Sequence, residues 1–155
     1  MTNEETQSRK DALELITFRV DGQEFCVDIM DVREIRGWTQ STPMPRAPAH
    51  VCGVINLRGT VLPVVDLACR LGLGSAAPSA RHVIIVVHIG ARLVGLLVEA
   101  VSDIITTSQM AMQPTPDLAC EDVRKCVRGI FAIEGRMISW VTLDQILPQA
   151  EAEAA

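Results

Sequence analysis

The chain has no tyrosine, three phenylalanines and two tryptophans, so aromatics are 3% of its 155 residues. That leaves few flat surfaces on which unpaired bases could stack. Positive charge is also short: 14 Lys and Arg against 19 Asp and Glu give a net charge of −5, the wrong sign for the broad basic surface of a nucleic-acid binder. The five cysteines, Cys26, Cys52, Cys69, Cys120 and Cys126, form no C-x-x-C pair and are odd in number. They read as small buried or half-buried thiols in a reducing compartment. The longest apolar run, Val83 to Val98, is interrupted by His88, Gly90 and Arg92 and falls short of the roughly 18 to 20 unbroken apolar residues of a spanning helix. The N-terminus shows no basic start followed by an apolar core, and a cytosolic protein is expected.

Catalytic spacing is missing too. His50, His82 and His88 make no H-x-x-x-H or H-E-x-x-H pattern, Gly53 and Gly59 are not followed by Gly-Lys-Ser/Thr, and no G-x-S-x-G elbow occurs. The expectation is a protein that is not an enzyme, with no metal site and no cofactor.

What is present is apolar residue in quantity, 48% of the chain, enough for one domain or two small subdomains with a common core. Residues 1–12 and 148–155 are polar or charged and read as flexible tails. Between them the pattern is mostly strand. Ile16, Phe18 and Val20 alternate with polar neighbours, Asp21-Gly22 signals a hairpin, and Phe25, Val27 and Ile29 alternate again. Asp31 to Ile35 suggests one helical turn capped by Asp31 or Asp28. The residues Val83 to Val87 are apolar in succession and call for cover on both faces. Pro63, awkward in a central strand, marks an edge or a bulge.

The chain repeats itself. Setting Gly53 against Gly129 aligns Gly59 with Gly135, Val61 with Met137, Leu62 with Ile138, Val64 with Trp140 and Leu67 with Leu143. The same offset pairs the helix caps Asp66 and Thr142, each ahead of a short apolar turn, Leu67 to Leu71 and Leu143 to Leu147. A second offset aligns Phe25–Ile29 with Val94–Val98 and Val32–Ile35 with Val101–Ile104. A duplicated β unit follows, split near the flexible Gly72 to Ala80 stretch, with about five short strands in each half. Subdomain one is placed at about 13–74 and subdomain two at about 81–147.

The most informative stretch is Gly53 to Leu67, where Asn56-Leu57-Arg58-Gly59 reads as an exposed turn between two apolar strands. Gly59 supplies the positive dihedral and Arg58 stands at the tip. Most hairpin arginines are solvated turn charges, but arginine is also the side chain whose planar fork serves protein interfaces. Gly95, inside a strand, calls for a close backbone approach, by a partner or at a bulge.

These motifs, with Thr42-Pro43-Met44-Pro45-Arg46-Ala47-Pro48, Val94–Glu99 and Val101–Ile104, resemble the CheW family over roughly residues 13–147. The resemblance implies an all-β fold of two SH3-like five-stranded barrels around a shared hydrophobic core. It implies a non-catalytic adaptor coupling chemoreceptor cytoplasmic tips to the regulatory domain of the CheA histidine kinase, held at membrane arrays through those partners. By the same resemblance Val32, Glu34, Arg36, Asn56, Leu57, Arg58, Gly59, Gly95, Val101, Ser102 and Asp103 are receptor-binding positions, with plain core packing an equal alternative for Val32 and Val101; the residues that bind the kinase are not identified. The rival readings are a small barrel that binds nucleic acid, which the acidic composition opposes, and a thiol or metal protein using Cys120 and Cys126.

Overall fold

The structure is a computed structural model that describes residues 12–74, 80–116 and 120–146. Within them run the strands β1 (Ala12–Val20), β2 (Gln23–Asp28), β3 (Val32–Gly37), β4 (Val51–Leu57), β5 (Thr60–Asp66), β6 (Val83–Ile89), β7 (Arg92–Val98), β8 (Ala100–Ser108), β9 (Val127–Ile133) and β10 (Arg136–Val141). Three short helices, α1 (Leu67–Arg70), α2 (Glu121–Cys126) and α3 (Leu143–Ile146), follow β5, precede β9 and follow β10. The sequence expectations for both tails and for most of the central linker lie outside the described residues.

The strands form two five-stranded sheets, in the orders β8-β1-β2-β10-β9 and β3-β6-β7-β5-β4. Shifting every label by five converts one order into the other, so the sequence repeat is a repeat of topology. The halves do not fold separately, however. The hairpin β1–β2 leaves its own half to pair with β8 and β10, while β3, β4 and β5 join β6 and β7. A division at 13–74 and 81–147 therefore does not describe the molecule. Self-alignment is blind to this exchange, because a hairpin aligns equally well whichever copy of the sheet receives it.

The exchange creates a core in three layers. Phe18, Phe25, Val27 and Val127 of one sheet meet Val65, Ile85, Val87, Leu96 and Val98 of the other in a central cluster. Ile55, Leu57, Leu62, Val64, Ile84, Val86 and Leu97 fill the second sheet on its far side, and Leu15, Cys26, Phe131, Ile138 and Trp140 fill the first. Successive residues of β6 thus point into different clusters, with Ile84 to Val87 all fully buried, as the uninterrupted apolar run requires. Each such side chain contributes about 1.5–3 kcal/mol by leaving water.

Each sheet closes into a barrel by the same device. After β3 the chain crosses to β4, where the Thr42 N–H donates to the Val54 carbonyl at 2.8 Å and the Val54 N–H returns the bond at 2.9 Å. After β8, Gln113 and Ile130 exchange an equivalent pair, both 2.8 Å. Outer strands are thereby joined to outer strands, which leaves less open edge. A β-carbon on Gly53 would run into the Thr42 carbonyl, and one on Gly129 into Met112 and the Gln113 carbonyl. The glycines that anchor the repeat alignment are the points where a second backbone passes.

One local expectation changes. The helical turn lies one step earlier, at Ile29–Asp31, where the Asp28 carboxylate accepts from the Met30 N–H at 2.9 Å; Val32 to Gly37 is strand. β-Branched Val32 and Ile35 and pairing to β6 outweigh the helical caps there. Pro63 sits inside the sheet order, yet the ladder to β7 begins only at Val64, and Val54 opposite spends both backbone groups on Thr42. Pro63 occupies a local edge that needs no N–H.

Residues 13–74 or 81–147 expressed alone are predicted to aggregate or stay molten, since each contains β strands whose sheet partners are in the other half. Dispersed amide spectra from both isolated halves would refute the shared core. Val86→Asp buries an unpaired carboxylate inside the apolar cluster on the far side of the second sheet and is predicted to cost several kcal/mol, comparable to a domain's whole stability. A soluble variant with a cooperative melt near the parent's would contradict that placement.

Candidate partner-binding surface

The β4–β5 turn places both central residues at positive φ, Arg58 at 49° and Gly59 at 91°. Such a turn matches the twist of the flanking strands and is ordinarily built from Asn-Gly, Asp-Gly or Gly-Gly. Asn56 steadies it by accepting the Gly59 N–H on its side-chain oxygen at 2.8 Å. Arg58 is a poor residue for that backbone, at a cost of about 1–2 kcal/mol relative to a right-handed conformation. Its side chain is 69% exposed, and one Nη donates to a Glu34 carboxylate oxygen at 2.6 Å. The turn brings two of the expected site residues together.

Glu34 reaches Arg58 because β3 is bulged. Val32 pairs with Val87 and Glu34 with Val86, so one extra residue, Arg33, interrupts the alternation. Val32 is left on the side of Val87, packed against the central core. Glu34 and Arg36 lie on the side of Val86 and Ile84. Val32 thus takes the core-packing alternative, on the opposite face from Glu34 and Arg36.

The second barrel repeats the plan with different side chains. Ile16 pairs with Ile104 and Phe18 with Val101, leaving Thr17 opposite both Ser102 and Asp103. Val101 packs on the central core as Val32 does, and Ser102 is exposed. Asp103 turns to the buried Thr17 hydroxyl, which donates to its carboxylate and accepts its backbone N–H at 3.1 Å. Arg136, two residues past the β9–β10 hairpin tip, donates to both Asp103 carboxylate oxygens at 3.0 and 3.1 Å and to both Glu24 oxygens at 2.8 and 2.9 Å. Hydrogen bonds from this guanidinium hold the Glu24 and Asp103 carboxyls below the usual carboxylate range, and those carboxylates raise Arg136 in turn.

Two expected contact residues are interior. Leu57 is 4% exposed and belongs to the cluster inside the second sheet. Gly95 is buried there too: a β-carbon would sit 2.9 Å from Ile84 Cγ2 and 3.4 Å from Val64 Cγ2, so its missing side chain makes room for the barrel's own core, not for a partner. Sequence reasoning passed over Arg136, whose position just after Glu134-Gly135 mirrors the Arg58 hairpin, and the outward apolar pair Val61 and Met137, 66% and 64% exposed. The repeat aligns those two, and solvent-side alternation on each hairpin was the available signal.

Cys26 is buried and pushed up to about 12, and burial lifts Cys52 to about 11, so neither is a ready nucleophile. Cys120 is exposed at the start of α2, against the expectation of buried or half-buried thiols, while Cys126 at its end is in the central core. Among the described residues no group of three or more His, Cys, Asp or Glu could hold a metal ion.

The model of the CheW-like domain matches residues 14–151. The chain belongs to the CheW family. It is 59% identical over 155 residues to a chemotaxis protein CheW of Rhizobium meliloti (strain 1021), covering 100% of both chains. It is 31% identical over 138 residues to a CheW of Klebsiella aerogenes, covering 89% of this chain and 83% of that one. Among solved structures it is similar to the scaffolding protein TtCheW from Thermoanaerobacter tengcongensis, with a TM-score of 0.81 at 30% identity over 88% of this chain and 92% of that one. Membership in this family of chemotaxis scaffolds agrees with the all-β architecture of two five-stranded sheets.

The Arg136 network gives a signed pH dependence. Carboxyls whose folded pKa is depressed stabilise the fold above their unfolded value, about 4, and that contribution is lost as pH falls through the depressed values. Arg136→Gln is therefore predicted to lower the melting temperature at pH 7, with the gap to the parent narrowing below about pH 4. A gap that stays constant from pH 7 to pH 3 would show that the ion pairs contribute nothing.

Proposed function

We propose that this CheW-family chain is a non-catalytic adaptor that couples the cytoplasmic tips of chemoreceptors to the regulatory domain of the CheA kinase. The observation that carries the reading is Arg58. An exposed arginine occupies a left-handed turn position where asparagine would relax the backbone, and strain kept at a surface position points to a binding task. Its ion pair with Glu34 holds the fork beside β3 while leaving it largely exposed, so a receptor helix would meet a positioned guanidinium. Val32 and Val101, each packed on the central core just before a bulge, set the floor of the two barrels' receptor-facing strands.

The kinase would take a different surface. Val61 and Met137 are exposed at equivalent places on the two barrels, 66% and 64%. Two similar aliphatic patches suit partners that themselves contain such barrels. No helix among the described residues is long and apolar enough to cross a membrane, and the proposed place of the protein is the cytoplasmic face of receptor arrays, reached through its partners. The signal would pass as a change in relative populations of receptor, adaptor and kinase geometries, through contacts that differ between those states.

The test is Arg58→Asn. Asparagine suits the turn and the lost surface ion pair is worth about 0–1 kcal/mol, so the melting temperature is predicted to stay within a few degrees of the parent's. Affinity for a purified receptor cytoplasmic fragment is predicted to fall by on the order of thirtyfold, the scale of losing an interface hot spot. An unchanged titration would remove Arg58 from the interface, and a parent protein that binds neither the fragment nor the kinase would sink the adaptor reading.

A further inference from the structure

We propose that Arg136 is a positioning residue for the receptor-facing edge of β8, acting through Asp103; the inference rests on the adaptor reading above. The geometry is unusual for a half-exposed arginine. One guanidinium, 30% exposed, makes four hydrogen bonds to two carboxylates on two different strands, Glu24 on β2 and Asp103 on β8, with β1 lying between those strands in the sheet. Thr17 on that intervening strand completes the bracket by bonding both the side chain and the backbone of Asp103.

The consequence is chemical. Asp103 Oδ1 accepts from Thr17 and Arg136, and Oδ2 accepts from Arg136, so the carboxylate is committed within the fold and offers little to an outside donor. Asp103 is better described as a strut than as a contact. What the strut holds is the β8 bulge, whose other residues are the exposed Ser102 and, immediately after, Ile104 at 58% exposure. A bulge re-aims side chains and has fewer ladder bonds to hold it, so an external brace decides where Ser102 and Ile104 point. Arg136 reaches across from β10 to provide that brace.

The other barrel supplies the contrast. Its post-bulge carboxylate, Glu34, has one bond from Arg58, and the arginine is 69% exposed. That wall can release its arginine to a partner, whereas the Arg136 wall is fixed before the partner arrives. Pre-set geometry lowers the ordering cost of binding.

The experiment titrates a purified chemoreceptor cytoplasmic fragment into the full-length parent, Arg136→Gln, Asp103→Asn, the double variant and Arg136→Lys, with melts and amide spectra of each. Arg136→Gln and Asp103→Asn are each expected to weaken binding by about tenfold, and the double variant by no more than either alone, because coupled residues are non-additive. Arg136→Lys, which keeps the charge and loses the fork, is expected to fall between parent and Arg136→Gln and serves if the glutamine variant fails to fold. The Ser102 and Ile104 amide resonances are expected to shift in Arg136→Gln without the fragment. Parental affinity in folded Arg136→Gln or Arg136→Lys, or multiplied losses in the double variant, would overturn the proposal. If the parent itself does not bind the fragment, the adaptor reading fails, and unmoved Ser102 and Ile104 resonances in the variant would then overturn the positioning role separately.

Discussion

The constraint on which the rest of this structure depends is the pair of parallel contacts, β2 with β10 and β5 with β7. Each joins a hairpin from one half of the chain to a strand of the other, and parallel neighbours cannot be linked by a tight turn. The two barrels are consequently woven together. Their facing sides bury Phe18, Phe25, Ile85, Val87 and Leu96 in one cluster, and neither half of the sequence can be taken away without unpairing strands in both sheets. This interleaving makes the two barrels one folding unit, because neither half of the sequence supplies a complete sheet.

Onto that frame the duplication writes the same local device twice: a valine on the central core, a bulge, and then a carboxylate met by an arginine from the closing hairpin. The copies differ in how firmly the arginine is held. Arg58 lies at the tip, pays for its place in backbone strain, and is ion-paired with Glu34. Arg136 lies past the tip in ordinary extended strand and is held by two carboxylates. A shift of two residues along a hairpin separates an arginine that can be offered outward from one that is spent inside.

Much of this was legible in the residues. The hairpin at Arg58-Gly59, the double cover demanded by Ile84 to Val87, the helix caps and the repeat all follow from patterns that depend on near neighbours in the chain. The misses share a cause of the opposite kind. Gly95 was offered to a partner because only the three-dimensional neighbours Ile84, Val64 and Leu62 show that the space is already filled. Leu57 sits in a motif whose other members are exposed, and strand alternation, applied strictly, turns it inward. The row Val32, Glu34, Arg36 was broken by a bulge that a period of two cannot announce, and the hairpin exchange was invisible because it leaves every local signal unchanged.

Duplicated barrels would present identical surfaces if their sequences had stayed alike, and two identical surfaces would compete for the same partner. Here the equivalent tip residues are Arg58 and Glu134, both held at positive φ, 49° and 50°, and of opposite charge. A carboxylate is attracted to the first and repelled by the second, so the two hairpin tips differ in the sign of charge they favour. The outward apolar positions diverged less in character, with Val61 facing Met137 and Ile35 facing Ile104 across the repeat. The two copies thus keep aliphatic side chains at equivalent outward positions while the charge at the hairpin tip inverts.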